Sequence, residues 1–497
     1  MIWQLAMRNL GFRKLRSLFL LAGYGLGVAV MIVLLSVGDA MIAQASDEKL
    51  VGGGDVTVLP EGLDVEVMKT GGVGGMFFSI TNARFLYQQL LASPRQATHV
   101  RAVAPQIESK LLYITLADGR EVPVRAAGEL PDATRAVGAP ALLSAGTWRN
   151  DDADRRWASP TLAELRHDAD HFHLPTREVA TPESWGEWHY FNVLSADAKR
   201  WWFITYIVAG AVPTGRWGGR LLVTSHETGK VAQRYSMPVP TRAVRFSTRD
   251  ADVNFGDIGS VVVAADGHYA VHGTALAEDG SGASIRLDLD VVPSPRAYFP
   301  GATLLSGDAP SGYAVLGLRA VATGSICFAT ACEQFERAQA YHDHNWGTWQ
   351  GVTWDWGAAR AGAFTILYGR VRPSASSNAV EAPLFVYVVD SLGFRAVFRP
   401  RVIAYDDARV VPGPGRGPST ARIFDVRGSD TLDLLLTIDD ASASDTRAGL
   451  IDRGEGEYAR RLSTPWFLQM KGRARLTGRV AGAALAGDGV GFFDTYR

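Results

Sequence analysis

The sequence predicts a mainly β protein, in which two consecutive β-barrel or sandwich domains follow one N-terminal membrane helix and a small α+β domain. Three observations lead to this prediction. One long uncharged apolar segment lies near the N-terminus, short strand-like segments separated by turn residues fill the chain after about residue 184, and a tryptophan-containing segment occurs twice.

Length and composition bound the possible functions. The 497 residues are enough for about three domains. Lys and Arg total 50 and Asp and Glu total 51, for a net charge of -1. Such a balance, with no basic excess, argues against a nucleic-acid partner. The 53 glycines suit tight turns and barrel corners, and the 13 tryptophans suit the walls of an apolar cavity.

The N-terminal segment predicts an anchor. Residues 17–37 carry no charge, and about 20 apolar residues suffice to cross a bilayer. Basic residues precede this segment and acidic residues follow it, so the N-terminus is expected inside. We therefore expect a cytoplasmic tail (1–16), a single transmembrane helix (17–38) in the inner membrane, and a periplasmic or otherwise extracytoplasmic body. A cleaved signal peptide ending near Ala43-Gln44-Ala45 is the alternative, but the apolar run exceeds the usual length of about 7–15 residues.

The head of the chain resembles a known family. Ala6-Met7-Arg8-Asn9-Leu10, followed by Arg16-Ser17 and a glycine-bearing span, resembles the start of ABC permeases of the MacB/lipoprotein-release type. Residues 52–60 (GGGDVTVLP) and the stretch to about 137 are similar to the extracytoplasmic domain of those permeases. The resemblance implies a permease-like domain over 48–140 and ABC transporter subunits as partners. The later membrane helices of that family are missing, so transport by this chain alone is not expected.

Secondary structure changes along the body. Within 48–140, the apolar spacing predicts one helix over Asn82–Leu91. Residues 141–180 are polar, charged and interrupted by proline, which predicts a linker. After residue 184, short segments rich in strand formers alternate with turn residues and predict strands over Trp201–Ala209, Arg220–Thr224, Ser260–Ala264, Ser284–Val291, Phe364–Arg372, Leu384–Asp390 and Thr431–Ile438.

An internal repeat predicts a duplicated β domain. At one constant offset, Trp185 matches Trp346 and Trp188 matches Trp349, within SWGEWHYFNVLSADAKRWWF and NWGTWQGVTWDWGAARAGAF. The period is too long for a solenoid or a propeller blade. We therefore expect one domain over 181–344 and a second over 345–497. A barrel of about eight strands encloses room for one small ligand.

The densest polar and aromatic cluster lies at the seam between the repeats, in Tyr341-His342-Asp343-His344-Asn345-Trp346-Gly347. On a strand, Tyr341, Asp343 and Asn345 would share one face, and His342, His344 and Trp346 the other. In an apolar barrel, desolvation would raise the pKa of Asp343 and keep it a proton donor near neutrality. A hydrogen-bond network that only locks the two domains together is the alternative.

A second cluster opens the first repeat. In Trp185-Gly186-Glu187-Trp188-His189-Tyr190, the side chains of Glu187 and His189 would share one face of a strand, with Trp188 and Tyr190 opposite. Its aromatic residues suit either a binding site or the core that closes a barrel.

We expect no metal site. The His342-x-His344 pair supplies two ligands, which are too few without a third. A linker group could also bind metal, but nothing fixes its geometry and a solvated segment is expected; it comprises His167, Asp168, Asp170, His171 and His173. Cys327 and Cys332 would form either a local disulfide, in an oxidising compartment, or two buried thiols.

The two clusters also resemble a second family. SWGEWHYFN, YHDHNWG, the segment 244–257 (VRFSTRDADVNFGD) and Tyr368-Gly369-Arg370 are similar to the carotenoid 1,2-hydratase (hydroxyneurosporene synthase)/AttH-like family over about 181–497. The resemblance implies two lipocalin-like barrels that face each other. It implies a hydrophobic ligand, lipid or isoprenoid-like, and a cofactor-free hydration or cyclisation. It also assigns Asp343 as proton donor and Tyr341 as its neighbour, with ligand-binding residues Trp185, Glu187, Trp188, His189, Tyr190, His342, His344, Asn345 and Trp346.

One departure from that family leaves two functions open. The hydratases place a His and a Trp on the strand before the seam, whereas here Tyr313–Leu318 contains neither. An acid without its orienting partner can bind a ligand without catalysing a reaction. The sequence therefore predicts a membrane-anchored protein that binds a hydrophobic molecule, either as a hydratase or cyclase or as a non-catalytic accessory subunit of an ABC transport system. A module that binds a protein partner through 48–140 is a third reading.

Overall fold

The structure is a computed structural model. It describes residues 14–45, 56, 58, 80–116, 121–138, 164, 170–174, 185–306, 309–328, 331–349, 351–372, 383–447, 460, 462 and 464–497. The chain divides into two compact units, one of residues 1–79 and 100–158 and the other of residues 80–99 and 159–497.

The first unit contains helix α1 (Lys14–Ala45), strands β1 (Gln106–Thr115) and β2 (Glu121–Glu129), and a short later helix at Pro131–Ala136. The two strands form an antiparallel pair. The predicted membrane span, 17–38, lies within α1. Among the described residues, however, no helix combines the length and the apolar character that a membrane crossing needs.

The predicted helix at 82–91 exists as α2 (Ile80–Ala92), but it belongs to the second unit. Just after its end, the hydroxyl of Ser93 donates to the carbonyl of Leu392 at 3.0 Å, and Arg95 pairs with Asp390. The predicted domain 48–140 is therefore divided, because these contacts tie 80–99 to the β-rich body.

The second unit is built of antiparallel strands. Its first sheet contains β3 (Trp185–Leu194), β4 (Arg200–Ala211), β5 (Arg216–Glu227), β6 (Gln233–Pro240), β7 (Arg245–Phe246), β8 (Val253–Asn254), β9 (Gly259–Val263), β10 (Tyr269–Ala277), β11 (Ser284–Pro293), β12 (Phe299–Ser306), β13 (Ala309–Phe328) and β14 (Ala331–Thr348). The order β11-β13-β14-β3-β4-β5-β6-β10 closes on itself, since β10 also pairs with β11. This ring is an eight-stranded barrel, as predicted for the first repeat.

The second sheet is open. It has nine strands in the order β18-β17-β16-β15-β25-β24-β23-β22-β19. The strands after β14 are β15 (Thr353–Ala361), β16 (Phe364–Arg372), β17 (Phe385–Asp390), β18 (Gly393–Phe398), β19 (Ile403–Asp406), β20 (Arg409–Val411), β21 (Gly415–Gly417), β22 (Thr420–Arg427), β23 (Asp430–Asp445), β24 (Trp466–Val480) and β25 (Ala483–Tyr496). Over the described residues, the second predicted barrel is thus a half-barrel.

The two sheets repeat one topology, although not at the predicted offset. In each sheet the first strand pairs with the last, β3 with β14 and β15 with β25. The first strands of the two sheets begin at Trp185 and Thr353. The sequence repeat had instead aligned Trp185 with Trp346, which lies inside β14, the last strand of the first sheet. The predicted boundary at 344–345 likewise falls inside β14, and the change of sheet follows Thr348.

Three hydrophobic clusters hold this unit. One fills the barrel and includes Trp202, Tyr206 and Phe255. A second lies on one face of the open sheet and includes Ile423, Leu434 and Phe493. The third joins the outer surface of the barrel to the other face of the open sheet, through Trp201, Phe203, Tyr341, Trp356 and Phe492 among others.

A disulfide joins Cys327 and Cys332 where β13 turns into β14. The two residues face each other in the register of the hairpin. Of the two alternatives that the sequence left open, a local disulfide or two buried thiols, the structure contains the disulfide.

Candidate functional site

All the residues predicted for the site lie on β3 and β14, which are adjacent antiparallel strands. Their register places Asp343 opposite Tyr190, His344 opposite His189, and Trp346 opposite Glu187. Because side chains alternate along a strand, the two strands carry two separate polar groups back to back. One group faces the open sheet and the other faces the barrel interior. We call them the seam cluster (Tyr341, Asp343, Asn345, Tyr190 and the residues they contact) and the interior cluster (Asp170, Glu187, His189, His342, His344).

The seam cluster fixes the carboxylate of Asp343 with two donors. The hydroxyl of Tyr341 donates to Oδ2 at 2.6 Å, and the amide of Asn345 donates to Oδ1 at 2.6 Å. The indole of Trp356, from the open sheet, donates to the Tyr341 oxygen at 3.0 Å. The carboxylate orientation is therefore set from both sheets.

Trp356 can reach Tyr341 because of a glycine on the neighbouring strand. Gly369 lies opposite Trp356 in the β15–β16 pair. A Cβ atom on Gly369 would lie 2.4 Å from the indole ring, which is much closer than carbon atoms can approach. The absence of a side chain at this position therefore allows the indole to lie flat over the strand.

Burial controls protonation at the seam. It raises the pKa of Asp343 to about 7, against the hydrogen bonds from Tyr341 and Asn345, which favour the charged form. Burial and the nearby Asp343 also raise the pKa of Asp494, on β25, well above its ordinary value. The amide of Gln469, which faces Asp494 on β24, donates to the Tyr190 hydroxyl at 3.1 Å. The seam thus holds two carboxyl groups that burial keeps prone to carry a proton.

Apolar and aromatic groups surround these carboxyls. The ring of Phe492 packs edge-on against Tyr341 at 4.7 Å and against Tyr190 at 6.1 Å. A small cavity lies beside Tyr341, and its volume of about 10 Å³ is near that of a single water. Its lining includes Trp201, Leu318, Ala358 and Phe492. A larger ligand therefore needs the barrel and the open sheet to separate locally.

The interior cluster is organised around His344. Its Nδ1 lies 2.7 Å from Oδ1 of Asp170, and its Nε2 lies 3.0 Å from Oε1 of Glu187. Burial alone would lower the pKa of His344, but the hydrogen bonds and charges of these two carboxylates raise it to about 9. Burial would likewise raise the pKa of Glu187, and its bonds from His173 and His344 outweigh this and lower it. An imidazolium flanked by two carboxylates results.

The predicted linker supplies part of this cluster, which corrects the expectation of a solvated segment. Asp170 and Phe172 are buried, with 3% and 1% of their surface exposed. The backbone N–H of His173 donates to both carboxylate oxygens of Glu187, and its ring stacks on Trp346 at 3.6 Å. The segment 170–174 therefore enters the barrel. His167 and Asp168 lie outside the described residues.

Several of these residues could hold a metal ion, which the sequence did not predict. Asp170, His189 and His342 are all buried, and each offers a ligand atom within 4.8 Å of the others. No sequence pattern indicates this grouping, because the three residues come from separate segments that only the folded barrel brings together.

The structure also adds residues that the sequence analysis missed. Trp356, Gln469 and Asp494 contact the seam cluster from the open sheet, and Tyr269 donates to Asp170 in the interior. Of the predicted ligand-binding residues, Trp188 contacts Trp349 at the seam, and Trp185 lies in the barrel core. The one sequence signal for Asp494 is an acidic residue directly after Phe492 and Phe493, in a stretch of β25 where five consecutive residues are buried.

Comparisons with solved structures give matches at low sequence identity. A protein provisionally designated AttH, from Nitrosomonas europaea, matches with a TM-score of 0.41 and 16% identity, covering 66% of this chain and 98% of that protein. Kievitone hydratase from Nectria haematococca matches with a TM-score of 0.40 and 11% identity, over 66% of this chain and 96% of its own. CghA with Sch210972 matches with a TM-score of 0.40 and 12% identity, covering 64% of this chain and 89% of that protein. No protein-family model and no curated protein matches the chain. The resemblance of the N-terminal region to ABC permeases finds no support in these comparisons.

Proposed function

We propose that the seam between the barrel and the open sheet binds a hydrophobic, lipid or isoprenoid-like molecule and that Asp343 protonates it. The observation that carries the proposal is the position of this carboxyl group. It is buried, held by Tyr341 and Asn345, and surrounded by the aromatic rings of two sheets. A general acid that acts on an alkene needs this combination of a fixed proton and dry, apolar surroundings.

The chemistry follows from these groups. The proton of the Asp343 carboxyl passes to one alkene carbon, and the π electrons form the new C–H bond. The resulting cation lies among Tyr341, Trp356 and Phe492, whose ring faces attract positive charge. In a hydration, water adds to the cation and its proton returns to the carboxylate. In a cyclisation, a second double bond adds to the cation, and loss of a proton to the carboxylate ends the reaction.

Binding without catalysis is the second candidate, and one observation favours it. The strand beside the seam residues, β13, places Tyr313 opposite Asn345 and Ala314 opposite His344. Near Asp343 this strand contributes neither a His nor a Trp, so it supplies no ring nitrogen to orient a water or substrate. Such a protein would hold the apolar molecule for a partner rather than transform it.

The test compares the full chain with the Asp343→Asn variant, which keeps the shape of the side chain and loses its acidity. Each protein is incubated with a membrane-lipid extract, and bound and released molecules are analysed by mass spectrometry. A product that has gained one water, or an isomer with one more ring, should form with the wild type and not with Asp343→Asn. Asp433→Asn, on the surface of the open sheet, is the matched control and should behave as wild type.

Two other outcomes decide between the alternatives. A molecule retained unchanged by both proteins would establish binding and exclude acid catalysis. If neither protein retains any apolar molecule, the seam cluster only locks the barrel to the open sheet, and the proposal fails.

A further inference from the structure

The interior cluster contains three potential metal ligands that the chemistry at the seam does not use. Asp170, His189 and His342 offer ligand atoms that all lie within 4.8 Å of one another. Their exposed fractions are 3%, 0% and 0%. They come from the segment 170–174, from β3 and from β14, and their side chains meet inside the barrel.

The two histidines are fixed in the tautomers that leave a free lone pair. Nε2 of His189 lies 2.7 Å from the carbonyl oxygen of Ala251, and Nδ1 of His342 lies 3.1 Å from that of Tyr190. A carbonyl oxygen only accepts, so in each ring the nitrogen beside it carries the hydrogen. The other nitrogens, Nδ1 of His189 and Nε2 of His342, therefore carry lone pairs.

Both nitrogens that carry a lone pair are buried and make no hydrogen bond to the described residues. Within the described part of the chain, neither Nδ1 of His189 nor Nε2 of His342 has a hydrogen-bond partner. A buried polar atom without a hydrogen-bond partner destabilises the fold unless another ligand takes that place. Metal-binding histidines characteristically donate their other N–H to a backbone carbonyl or a carboxylate, which is the arrangement of both rings here.

The carboxylate of Asp170 is oriented in a similar way. Its Oδ1 faces Nδ1 of His344 at 2.7 Å, and its Oδ2 accepts from the hydroxyl of Tyr269. Two carboxylate oxygens provide about four lone-pair directions, and these two hydrogen bonds occupy two of them. The Asp170 carboxylate can therefore also bind a metal ion. Carboxylates that bind metals are commonly held by such hydrogen bonds.

We propose that Asp170, His189 and His342 form a binding site for one divalent transition-metal ion, of the Zn²⁺ or Fe²⁺ class, inside the barrel. Two imidazole nitrogens and one carboxylate oxygen suit these ions. Zinc–nitrogen bonds are about 2.0–2.1 Å long, so small side-chain rotations that draw the three ligand atoms together complete the site. Three protein ligands leave a fourth position for water or a small molecule.

The ion would tie the segment 170–174 to the barrel wall. The complete site exists only when this segment has entered the barrel, so binding favours the folded state. The site lies on the opposite face of β14 from Asp343, and it therefore does not depend on the function proposed for the seam.

The test measures metal bound by the purified full chain. The protein is treated with chelator, incubated with Zn²⁺, Fe²⁺ (without oxygen) or Co²⁺, and desalted, and its metal content is determined by mass spectrometry. We expect about one ion per chain, Co²⁺ absorption bands typical of nitrogen and oxygen ligands, and a higher melting temperature than the metal-free protein. His189→Gln and His342→Gln should each weaken binding at least about tenfold.

A buried histidine outside the site provides the matched control. His226, with 1% of its surface exposed, lies on β5, and His226→Gln should bind metal as the wild type does. Circular dichroism establishes that each variant is folded, and Asp170→Asn gives an independent variant if a histidine variant is not. Less than a tenth of an ion per wild-type chain with all three metals, or unchanged binding in the folded ligand variants, would overturn the proposal.

Discussion

At the scale of single residues, the hydroxyl of Tyr341 connects the barrel with the open sheet through two hydrogen bonds. It donates to Asp343 and accepts from Trp356, and all three side chains are buried. Its removal leaves two buried polar groups, the carboxylate and the indole N–H, each without one partner.

We predict that Tyr341→Phe lowers the free energy of unfolding by about 1–3 kcal/mol, which is the usual cost of unsatisfied buried groups. Urea unfolding followed by tryptophan fluorescence measures this change. The ring of Tyr313 also packs against Trp356, but the hydroxyl that bonds Asp343 and Trp356 is that of Tyr341, so Tyr313→Phe should cost less. Equal effects of the two substitutions would show that the Tyr341 hydrogen bonds contribute nothing specific.

Residue positions were predictable where they depend on strand alternation alone. The separation of Asp343 from His342 and His344 follows from two-residue periodicity, and the register of β3 with β14 shows it. The partnership of Asp170 with His344 was not predictable, because 174 residues separate them and only barrel closure brings them together. Trp356 was likewise visible as an aromatic residue, but its contact with Tyr341 depends on sheet packing.

At the scale of elements, a buried ion pair joins four strands of the open sheet. Asp355 on β15 accepts from Arg370 at 2.7 Å and from Arg372, both on β16. It also accepts from the hydroxyls of Tyr405 on β19 and Thr495 on β25, at 2.9 and 2.7 Å. The carboxylate is fully buried, so each of these partners matters.

We predict that Asp355→Asn lowers the free energy of unfolding by about 3–5 kcal/mol at neutral pH, because it removes the charge of a fully buried carboxylate that accepts hydrogen bonds from two arginines and two hydroxyls. The exposed pair Arg422–Asp433 on the same sheet offers the control, and Asp433→Asn should cost less than about 1 kcal/mol. A similar cost for both substitutions would contradict the argument from burial.

The hydrogen bonds and charges around Asp355 should also make the free energy of unfolding depend on pH. Burial would raise the pKa of Asp355, but the hydrogen bond from Thr495 and the two arginines lower it below the ordinary value of 3.8. Because the folded-state pKa is lowered, this stabilisation is fully present above about pH 4 and is lost as the pH falls further. The difference in unfolding free energy between wild type and Asp355→Asn should therefore shrink as the pH falls from about 4 towards the folded-state pKa. If the difference in unfolding free energy between wild type and Asp355→Asn were the same at pH 7 and pH 3, the prediction would be wrong.

Individual strands were more predictable than their pairing. The segments predicted from alternating turn and strand residues correspond to β4, β5, β9, β11, β16, β17 and β23. The pairing of β10 with both β6 and β11, which closes the barrel, depends on contacts distant in sequence. The repeated tryptophans aligned β3, the first strand of the first sheet, with the end of β14, its last strand, because Trp346 and Trp349 have the same spacing as Trp185 and Trp188.

At the scale of the whole β-rich unit, the barrel and the open sheet share one hydrophobic cluster, and Phe492 lies at its centre. Its ring contacts Tyr341, Tyr190, Trp201 and Phe203, all from the barrel side. The next residue, Phe493, points to the other face of β25 and packs in the core of the open sheet, against Tyr368. Substitution of Phe492 therefore tests the packing between the barrel and the open sheet, and substitution of Phe493 tests the core of the open sheet.

We predict that Phe492→Ala and Phe493→Ala each cost about 3–5 kcal/mol of unfolding free energy, since both remove a fully buried ring. They should differ in where the protein loosens. Amide hydrogen exchange in β3 and β14 should accelerate in Phe492→Ala, because the barrel face loses its cover, and stay near wild type in Phe493→Ala, where exchange should accelerate in β22 and β23 instead. Equal acceleration of β3 and β14 in both variants would mean that barrel and open sheet unfold as one cooperative body, and the seam could then not open for a ligand without global unfolding.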